Sequence, residues 1–469
     1  MPEHRRGRGE GGVVSVLDVY NPADGSVAGQ VPVCDEARLG QVIEQAHRAW
    51  PGVPPRARRE ALLAAAKAVS AQARALGELI TREQGKPLAM AVAEAFAAAA
   101  FLRYNAGLAL EPEVLREDRR GYAELVRRPL GVVAAVTPWN FPVAVAAAKL
   151  APALRAGNAV VLKPSPYAPL ATVRLGEILA EAMPPGLCTV VCGDGALGTA
   201  LATHPLVRKV SFTGSTATGR AVAAQAADGI KPVLLELGGN DAGIVLDDAD
   251  PAALAEQVFW DSFANNGQAC VLVKRLYVPR SRAAEWVEAL AARADSVVVG
   301  DGMVRGTQLG PVSTPAQHER IAALVAAALR DGAKSAAGGK PGEGPGLFYP
   351  PTILAGVTDG MAVAAEEQFG PALPVLAYDT EDEALARAND SSFGLGGSVW
   401  SADPERAWRL AGRLECGTAW VNAHADFAPD QPFGGLKHSG IGVENGTAGL
   451  HEYTAAQVRC RPADQVSPL

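Results

Sequence analysis

The sequence has few cysteines, no excess of basic charge and no long apolar run. Six cysteines in 469 residues, none in a CxxC pair, are too few for a disulfide framework and favour a reducing cytoplasm. The formal net charge is −7, whereas a nucleic-acid-binding surface is normally basic. The apolar runs at residues 95–100 and 143–148 are far shorter than the about 20 residues of a membrane span. We therefore expect neither a nucleic-acid partner nor a membrane partner.

The length and the periodicity of the chain predict more than one α/β domain. A chain of 469 residues is too long for a single core. Residues 1–12 are rich in arginine and glycine and lack the apolar stretch of a secretory signal, so we expect a disordered tail there. Further on, alternating segments predict doubly wound sheets. Helices are expected over residues 35–50 and 56–82, and strands over 130–136, 159–162, 189–192, 209–212, 233–237, 242–246, 275–278 and 418–422.

A carboxylate and a thiol lie on two glycine-flanked turns. Glu236 opens the run Glu-Leu-Gly-Gly, and Cys270 follows Gly-Gln-Ala. Covalent catalysis by cysteine needs a nucleophile on an exposed turn and a base that can later activate water. Either turn alone would be weak evidence, because a lone cysteine is more often a small buried apolar residue. The neighbouring motifs favour the catalytic interpretation.

Further motifs occur in a fixed order along the chain. TPWNFP at residues 137–142 follows an apolar run, and EEQFGP at 366–371 and PFGGLKHSG at 432–440 lie downstream. In this order the set resembles the aldehyde dehydrogenase superfamily, from about Asn21 to about Val458. The resemblance implies two Rossmann-like domains with a small β-arm for oligomerisation, a cysteine nucleophile, and NAD or NADP as the cofactor.

The resemblance also implies how the chain is divided. The cofactor-binding domain is expected at residues 13–110 and 129–237, and the catalytic domain at 238–451. The arm, at residues 111–128 and 452–469, would join subunits into a homodimer or a homotetramer. Parts of both arm segments alternate like half-exposed strands, so a solvated hairpin is the alternative.

Two glycine-rich turns compete as the phosphate site of the cofactor. Residues 193–198 match GxGxxG, but no acidic residue lies between Gly195 and Ala227, where a Rossmann ribose ligand would be expected. We interpret that match mainly as a tight turn. The better candidate contains Gly214, Ser215 and Gly219, because a strand end there runs into a helix N-terminus, which favours phosphate. An ordinary capped helix start is the alternative.

The resemblance assigns the remaining cofactor residues. Lys163 is placed on the adenosine ribose and Glu367 on the nicotinamide ribose, with Trp139, Ser165 and Phe369 beside them. Pro166 stands where NAD-preferring relatives often carry a glutamate that would repel a 2′-phosphate. The choice between NAD and NADP therefore stays open.

These residues imply a reaction. Cys270 would attack an aldehyde carbonyl, and the Asn140 amide with the Cys270 N–H would stabilise the oxyanion. Glu236 would activate water to hydrolyse the thioester. Lys149 is either structural or part of a proton path. A coenzyme A-acylating relative, which generally lacks the glutamate, and a catalytically silent binding protein, which should have lost its nucleophile, are the alternatives.

The predicted substrate pocket is apolar. Succinic-semialdehyde members carry an arginine at the position of Ala148, so we expect a neutral aliphatic or aromatic aldehyde. Cys188 and Cys192 lack a third ligand nearby, so no metal is expected. The pocket residues implied by the resemblance are Phe141, Val145, Ala264, Val271, Phe427 and Phe433.

Overall fold

The computed structural model describes residues 4–9, 12–426 and 428–462. The helices are α1 (Glu36–Ala49), α2 (Pro55–Ala71), α3 (Ala73–Gln84), α4 (Leu88–Gly107), α5 (Pro142–Arg155), α6 (Leu170–Ala182), α7 (Gly195–Thr203), α8 (Thr216–Asp228), α9 (Pro251–Phe263), α10 (Ala283–Ser296), α11 (Pro315–Arg330), α12 (Ala362–Ala365), α13 (Glu381–Asn389), α14 (Pro404–Ala411) and α15 (Gly446–His451). None of the helices in these ranges is both long and apolar enough to cross a membrane.

The strands of the described ranges form five sheets. They are β1 (His4–Gly9), β2 (Gly12–Tyr20), β3 (Val27–Pro32), β4 (Glu113–Asp118), β5 (Gly121–Pro129), β6 (Val132–Val136), β7 (Ala159–Lys163), β8 (Cys188–Val190), β9 (Val207–Thr213), β10 (Val233–Glu236), β11 (Ala242–Val245), β12 (Arg275–Pro279), β13 (Lys334–Ala337), β14 (Thr352–Ala355), β15 (Ala372–Tyr378), β16 (Phe393–Gly394), β17 (Gly396–Trp400), β18 (Thr418–Val421), β19 (Leu436–Lys437), β20 (Gly440–Ile441) and β21 (Thr454–Arg461).

A six-stranded sheet forms the first half of the molecule, in the order β20-β10-β9-β6-β7-β8. Strands β6 to β10 run parallel, and β20 pairs antiparallel with β10. The carboxyl ends of parallel strands meet at one edge of a sheet, where ligands bind in open α/β folds. That edge carries Lys163 and Glu236 as the last residues of β7 and β10, and the TPWNFP and FTGS motifs follow β6 and end β9.

A seven-stranded sheet forms the second half, in the order β13-β14-β15-β12-β11-β17-β18. All but the edge strand β13 run parallel. Successive residues of a strand point to opposite faces, and here they enter two separate cores. Ile244 and Tyr277 pack in one core with α11, whereas Val245 and Leu276 pack in the other with α9 and α10. The sheet is therefore covered on both faces, as the sequence predicts.

The expected helix at residues 56–82 is wrong as a single element. It is two helices, α2 and α3, separated at Gln72, whose φ of −103° and ψ of 12° leave the helical region. The Gln72 amide oxygen accepts two hydrogen bonds from the Arg174 guanidinium on α6, which holds the break in place. The second helix is capped by Gly85, whose φ of +102° is left-handed, a conformation that glycine favours at helix ends.

The chain ends differ in part from the expectation. Residues 1–12 are expected to be disordered, but His4–Gly9 form β1, whose backbone pairs antiparallel with β2. The two stretches expected to form the arm lie together, because β21 pairs antiparallel with β5, which also pairs with β4. The expected division at residue 238 falls between the two large sheets. Strand β20, however, comes from the part expected to be catalytic and belongs to the first sheet.

Candidate active site

Cys270 lies in the loop between α9 and β12, directly after a left-handed turn. Asn265, Asn266 and Gly267 have φ values of +54°, +56° and +72°. Asparagine tolerates this region better than most residues with a Cβ atom. A Cβ at Gly267 would lie 2.2 Å from the carbonyl oxygen of Gly370, so only glycine fits there. The turn places Cys270 in the loop before Arg275, the first residue of β12, and Cys270 is partly exposed there.

Asn140 is hydrogen-bonded to the cysteine loop. Its Nδ2 donates to the carbonyl oxygen of Gln268 at 3.0 Å, and its own carbonyl oxygen accepts from Asn265 Nδ2 at 3.0 Å. An amide group carries two N–H donors, and Gln268 occupies one of them. No hydrogen bond within the described residues occupies the other. The structure thus brings Asn140 and the Cys270 loop together and leaves one N–H of the Asn140 amide available to a ligand.

A buried ion pair holds the backbone of Asn140 in place. Lys86 and Glu94 are 2.6 Å apart, and both side chains are at most 1% exposed. Lys86 Nζ also donates to the carbonyl oxygen of Asn140 at 2.7 Å, and Glu94 accepts from the backbone N–H of Val143 at 2.9 Å. The first turn of α5, which follows Asn140, therefore holds a carboxylate where the helix dipole favours one. The sequence analysis did not identify either residue.

Glu236, the last residue of β10, is a buried carboxyl group without a hydrogen bond. Neither of its oxygens has a partner among the described residues. Burial raises the pKa of Glu236 well above its usual range, Glu444 raises it further, and Lys149 lowers it. A raised pKa allows a glutamate to take a proton from water near neutral pH.

Lys149 lies within α5 and pairs with Glu444. Its Nζ is 2.6 Å from Glu444 Oε1 and donates to Ser211 Oγ at 3.1 Å. The Ser211 hydroxyl is 3.0 Å from the hydroxyl of Tyr453. Lys149 therefore belongs to a buried polar chain behind Glu236, and no hydrogen bond of the described residues joins it to Cys270.

The electrostatic surroundings of Cys270 oppose the thiolate. Burial is the main cause that raises the pKa of the Cys270 thiol to about 12, and the carboxylates of Glu236, Glu367 and Asp241 act in the same direction. Lys274 acts in the opposite direction. These surroundings favour the protonated thiol, so a change in charge or hydrogen bonding near Cys270 would promote the thiolate.

The predicted nicotinamide-side residues lie close to one another. The rings of Trp139 and Phe369 meet edge to face, with centres 5.4 Å apart. Glu367 Oε1 accepts from the Gly239 N–H at 3.1 Å and from Lys274 Nζ at 2.5 Å. The sequence analysis did not identify Lys274, because nothing near it in the sequence indicates its partners.

Lys163 and Ser165 lie at the end of β7. Lys163 is 4% exposed, and its Nζ donates to the carbonyl oxygen of Pro164 at 3.3 Å. Burial lowers the pKa of Lys163 to about 8. A buried ammonium has three N–H donors, and this single contact among the described residues leaves donors for sugar hydroxyls or a phosphate. Ser165 Oγ accepts from the N–H of Tyr167 at 3.3 Å.

The glycine-rich turn after β9 begins α8. The Gly214 N–H donates to the carbonyl oxygen of Glu236 at 3.0 Å, which joins this turn to the end of β10. Ser215 caps the helix, since its Oγ accepts from the Thr218 N–H at 3.3 Å. A Cβ at Gly219 would lie 2.3 Å from the end of the Leu237 side chain, so a larger residue would require that side chain to move. The buried ammonium and this helix N-terminus together fit a dinucleotide.

The competing GxGxxG match begins α7 as a capped turn. Asp194 Oδ1 accepts from the backbone N–H groups of Ala196 and Leu197 at 3.0 and 3.3 Å. This geometry agrees with its interpretation as a strand-to-helix turn.

Two of the predicted substrate residues, Val271 and Phe433, lie in one apolar cluster with Cys270. Cys270 and Phe433 pack against a small cluster that includes Val271. Phe141 and Val145 are neighbours at the start of α5, where the Val145 N–H donates to the carbonyl oxygen of Phe141 at 3.1 Å. Ala264 follows α9 as its C-cap. Phe427 lies outside the described residues.

Comparison with known proteins gives consistent matches along almost the whole chain. Residues 11–458 match the model of the aldehyde dehydrogenase family. A betaine aldehyde dehydrogenase of Cereibacter sphaeroides is 40% identical over 447 residues, which cover 93% of this chain and 92% of that protein. A geranial dehydrogenase of Castellaniella defragrans is 39% identical over 448 residues, which cover 93% of both chains.

A solved structure matches the fold as well. The crystal structure of betaine aldehyde dehydrogenase from Staphylococcus aureus in complex with NAD+ superposes with a TM-score of 0.93 at 32% identity. The match covers 96% of this chain and 93% of that one.

Proposed function

This chain belongs to the aldehyde dehydrogenase family, and we propose that it oxidises a neutral aliphatic or aromatic aldehyde to a carboxylic acid through a covalent intermediate on Cys270. It is an NAD(P)-dependent enzyme, and the bound cofactor supplies the hydride acceptor. The observation that carries the proposal is the hydrogen bond that holds the Asn140 amide against the loop of Cys270.

The first half-reaction forms a bond between the Cys270 sulfur and the aldehyde carbon, after the thiol has released its proton to solvent and as the carbonyl π bond opens. The carbonyl oxygen becomes an oxyanion, which would accept hydrogen bonds from the free Asn140 N–H and the Cys270 backbone N–H. Donors of this kind are worth about 3 to 4 kcal/mol each in the transition state. Lys86 and Gln268 orient the amide for this role, since they bond the Asn140 peptide and side chain. Loss of a hydride from the substrate carbon leaves a thioester.

The second half-reaction hydrolyses that thioester. Glu236 would take a proton from water while the water oxygen attacks the acyl carbon, and the Cys270 sulfur then leaves as the carboxylic acid forms. The unpartnered, buried carboxyl oxygens and the raised pKa of Glu236 support this role. Lys149 and Glu444 would set that pKa. This step distinguishes the enzyme from a coenzyme A-acylating relative.

The chain offers two sets of groups for the cofactor. Lys163, Ser165 and the turn at Gly214, Ser215 and Gly219 would hold the adenosine ribose and the phosphates. Trp139, Glu367 and Phe369 would hold the nicotinamide half beside Cys270. Pro166 places no carboxylate near the ribose, and this leaves room for the 2′-phosphate of NADP.

The surroundings of Phe141 bear on whether the aldehyde substrate is neutral or cationic. Betaine aldehyde is a quaternary ammonium compound, and such cations are bound over aromatic ring faces. Here Ala148 and Ala264 are small, and the ammonium of Lys86 lies 3.7 Å from the ring centre of Phe141. Lys86 therefore already occupies one face of this ring, although Glu94 compensates its charge. This contact favours a neutral aldehyde, and the geranial-oxidising relative has a neutral substrate. Betaine aldehyde is the second candidate, because relatives of equal similarity carry that name.

The arm formed by β4, β5 and β21 favours association of this chain into an oligomer. Strand β21 is exposed along its length in the single chain, and Val458 is 55% exposed. Such an edge strand has unpaired backbone groups that can pair with another chain. We expect a homodimer or a homotetramer, which sedimentation equilibrium would distinguish from a monomer.

A product analysis tests the proposed reaction. The enzyme is incubated with hexanal and NAD+ or NADP+, and the tryptic peptide of Cys270 is analysed by mass spectrometry after a rapid acid quench. We expect hexanoic acid as the product and a hexanoyl adduct on Cys270. Acid formation without any adduct on Cys270, even when deacylation is slowed, would contradict the covalent route.

A further inference from the structure

Lys274 lies four residues after Cys270 and contacts three separate turns. Its Nζ is 2.5 Å from Glu367 Oε1 and 3.1 Å from the carbonyl oxygens of both Cys270 and Gly239. An ammonium group has three N–H donors, so these three acceptors satisfy it completely. The side chain is 3% exposed, which makes this arrangement an interior one.

The three turns carry different parts of the proposed chemistry. The carbonyl of Cys270 belongs to the nucleophile loop, Gly239 follows Glu236 on the turn of the proposed base, and Glu367 comes from the loop before β15. A single ammonium therefore joins segments that lie far apart in the sequence. A neutral side chain at this position would leave two buried carbonyl oxygens and a carboxylate without this donor.

Glu367 is accessible from one side. Its side chain is 17% exposed, and only Oε1 accepts hydrogen bonds from the described residues, those of Lys274 and the Gly239 N–H. The other oxygen faces Gly238, where a Cβ would lie 2.3 Å from it. Hydroxyl groups of a ligand can therefore reach this carboxylate while Lys274 stays enclosed.

The ion pair of Lys274 and Glu367 affects how readily the Cys270 thiol loses its proton. Glu236, Glu367 and Asp241 disfavour the thiolate, and Lys274 is the cation that opposes them. Glu367 and Lys274 form one ion pair, so their opposite effects on the thiol partly offset each other. A ligand hydroxyl that donates to the second oxygen of Glu367 competes with Lys274 for this carboxylate, and the ammonium then acts on the thiol with less compensation.

We propose that Lys274 is a positioning residue that holds the three turns together and that stabilises the Cys270 thiolate when Glu367 binds the nicotinamide-side ribose. This inference rests on the proposed function, in which Cys270 is the nucleophile and Glu367 is a ribose ligand. Lys274 touches neither substrate nor cofactor in this role.

Alkylation of the cysteine measures the effect without turnover. The rate of iodoacetamide addition to the Cys270 peptide is followed by mass spectrometry between pH 7 and pH 10, with added N-acetylcysteine as the reference, because Cys460 lies on the strand β21 that is expected to be covered in the oligomer. Below its pKa, a thiol reacts about tenfold more slowly for each unit by which the pKa rises. An opposite charge nearby shifts a pKa by about one unit or more. We expect Lys274→Met to slow alkylation about tenfold or more, whereas Lys274→Arg stays within about threefold of the wild type.

A second variant gives the opposite sign and does not remove the lysine. Glu367→Gln leaves Lys274 bound to both carbonyl oxygens but removes the compensating charge. We expect this variant to react about threefold faster or more, and the double variant Lys274→Met with Glu367→Gln to react at a rate between the two single variants. Lys340→Met, which changes an exposed lysine, should leave the rate unchanged.

Two ligands separate the ribose effect from any effect of the nicotinamide ring. ADP-ribose carries the second ribose without nicotinamide, and ADP lacks that ribose. ADP-ribose should accelerate alkylation of the wild type about threefold or more, ADP should not, and Lys274→Met should not respond to either. Equal rates in the wild type and Lys274→Met, or an unchanged response to ADP-ribose in that variant, would overturn the inference. Failure of the proposed function is a separate result, since Cys270→Ala would then retain activity.

Discussion

The Lys149 ammonium is 2.6 Å from the Glu444 carboxylate inside the molecule, and both charges act on the pKa of Glu236. The lysine lowers that pKa and Glu444 raises it. The proposed base is therefore controlled by an ion pair that does not touch the thiol. Each member of the pair can be changed separately, and the two changes should have opposite signs.

Lys149→Met should shift the pH profile of hydrolysis to higher pH. Without the cation the pKa of Glu236 rises further, so a smaller fraction of the carboxylate is available at a given pH. At pH values below this pKa, the deacylation rate should fall about tenfold whenever the pKa of Glu236 rises by one. Glu444→Gln should shift the profile to lower pH. The measurement is the steady-state rate between pH 6 and pH 9 under conditions where hydrolysis limits turnover, and a movement of the profile in the same direction for both variants would contradict the assignment.

Cys270→Ala should abolish NAD(P)-linked aldehyde oxidation and leave cofactor binding nearly unchanged. The sulfur forms the covalent bond in the proposed route, whereas the residues proposed for the cofactor belong to other segments. Activity is measured by the absorbance of the reduced nicotinamide, and binding by quenching of tryptophan fluorescence. Cys416→Ala serves as the control. Retention of a tenth of the wild-type turnover by Cys270→Ala would exclude it as the nucleophile.

Glu236→Gln should separate the two half-reactions. Hydride loss precedes hydrolysis, so this variant should produce one equivalent of reduced cofactor in a burst and then stall as an acyl-enzyme. Stopped-flow absorbance measures the burst, and mass spectrometry of the intact protein detects the adduct. If neither is observed, Glu236 acts before hydride loss or has another role.

Pro166→Glu should raise the preference for NAD over NADP. A carboxylate at this position would accept a hydrogen bond from the 2′-hydroxyl of the adenosine ribose and repel a 2′-phosphate. The wild type should use NADP measurably. The ratio of kcat/KM values for the two cofactors is the measurement, with Pro164→Ala as a neighbouring control. Equal ratios in the wild type and Pro166→Glu would show that another residue sets the preference.

A neutral aldehyde should be preferred to a charged one. An unpaired carboxylate in an apolar pocket costs several kcal/mol, whereas an alkyl group gains about 25 cal/mol for each Å² buried. We expect kcat/KM for hexanal or benzaldehyde to exceed that for succinic semialdehyde by about tenfold or more, which corresponds to about 1.4 kcal/mol. Betaine aldehyde belongs in the same panel, because it tests whether Phe141 can hold a quaternary ammonium group while Lys86 occupies one face of its ring. A clear preference for succinic semialdehyde would require an arginine from another part of the fold.

The sequence predicts those features whose signals are local. Strand ends followed by glycine or proline place the motifs of Asn140, Lys163 and Glu236, because parallel strands bring their carboxyl ends to one edge. The end of α3 at Gly85 is also a local signal, because glycine readily adopts the left-handed conformation that caps a helix. The break at Gln72 is different, since no glycine or proline marks it and its cause is a contact with Arg174, a distant residue.

The residues that support the site cannot be predicted from the sequence, because their partners are also distant along the chain. Lys86 and Glu94 lie only eight residues apart, yet their shared role depends on the carbonyl of Asn140, which is much farther along the chain. The role of Lys274 likewise depends on its hydrogen bonds to Gly239 and Glu367, which are distant in the sequence. A charged residue in an apolar segment is unusual, but its partners follow only from tertiary packing.

The short strand β20 has a consequence for folding. It pairs Gly440 and Ile441 with Glu236 and Leu235 at the edge of the first sheet, although the chain reaches it only after completing the second sheet. The first half of the chain therefore cannot complete its own sheet while the ribosome is still synthesising the second half. A fragment that ends at residue 237 would expose the backbone of β10, and an unprotected strand edge of this kind favours aggregation. We expect the two halves to unfold in one cooperative transition and to be poorly recovered when expressed apart.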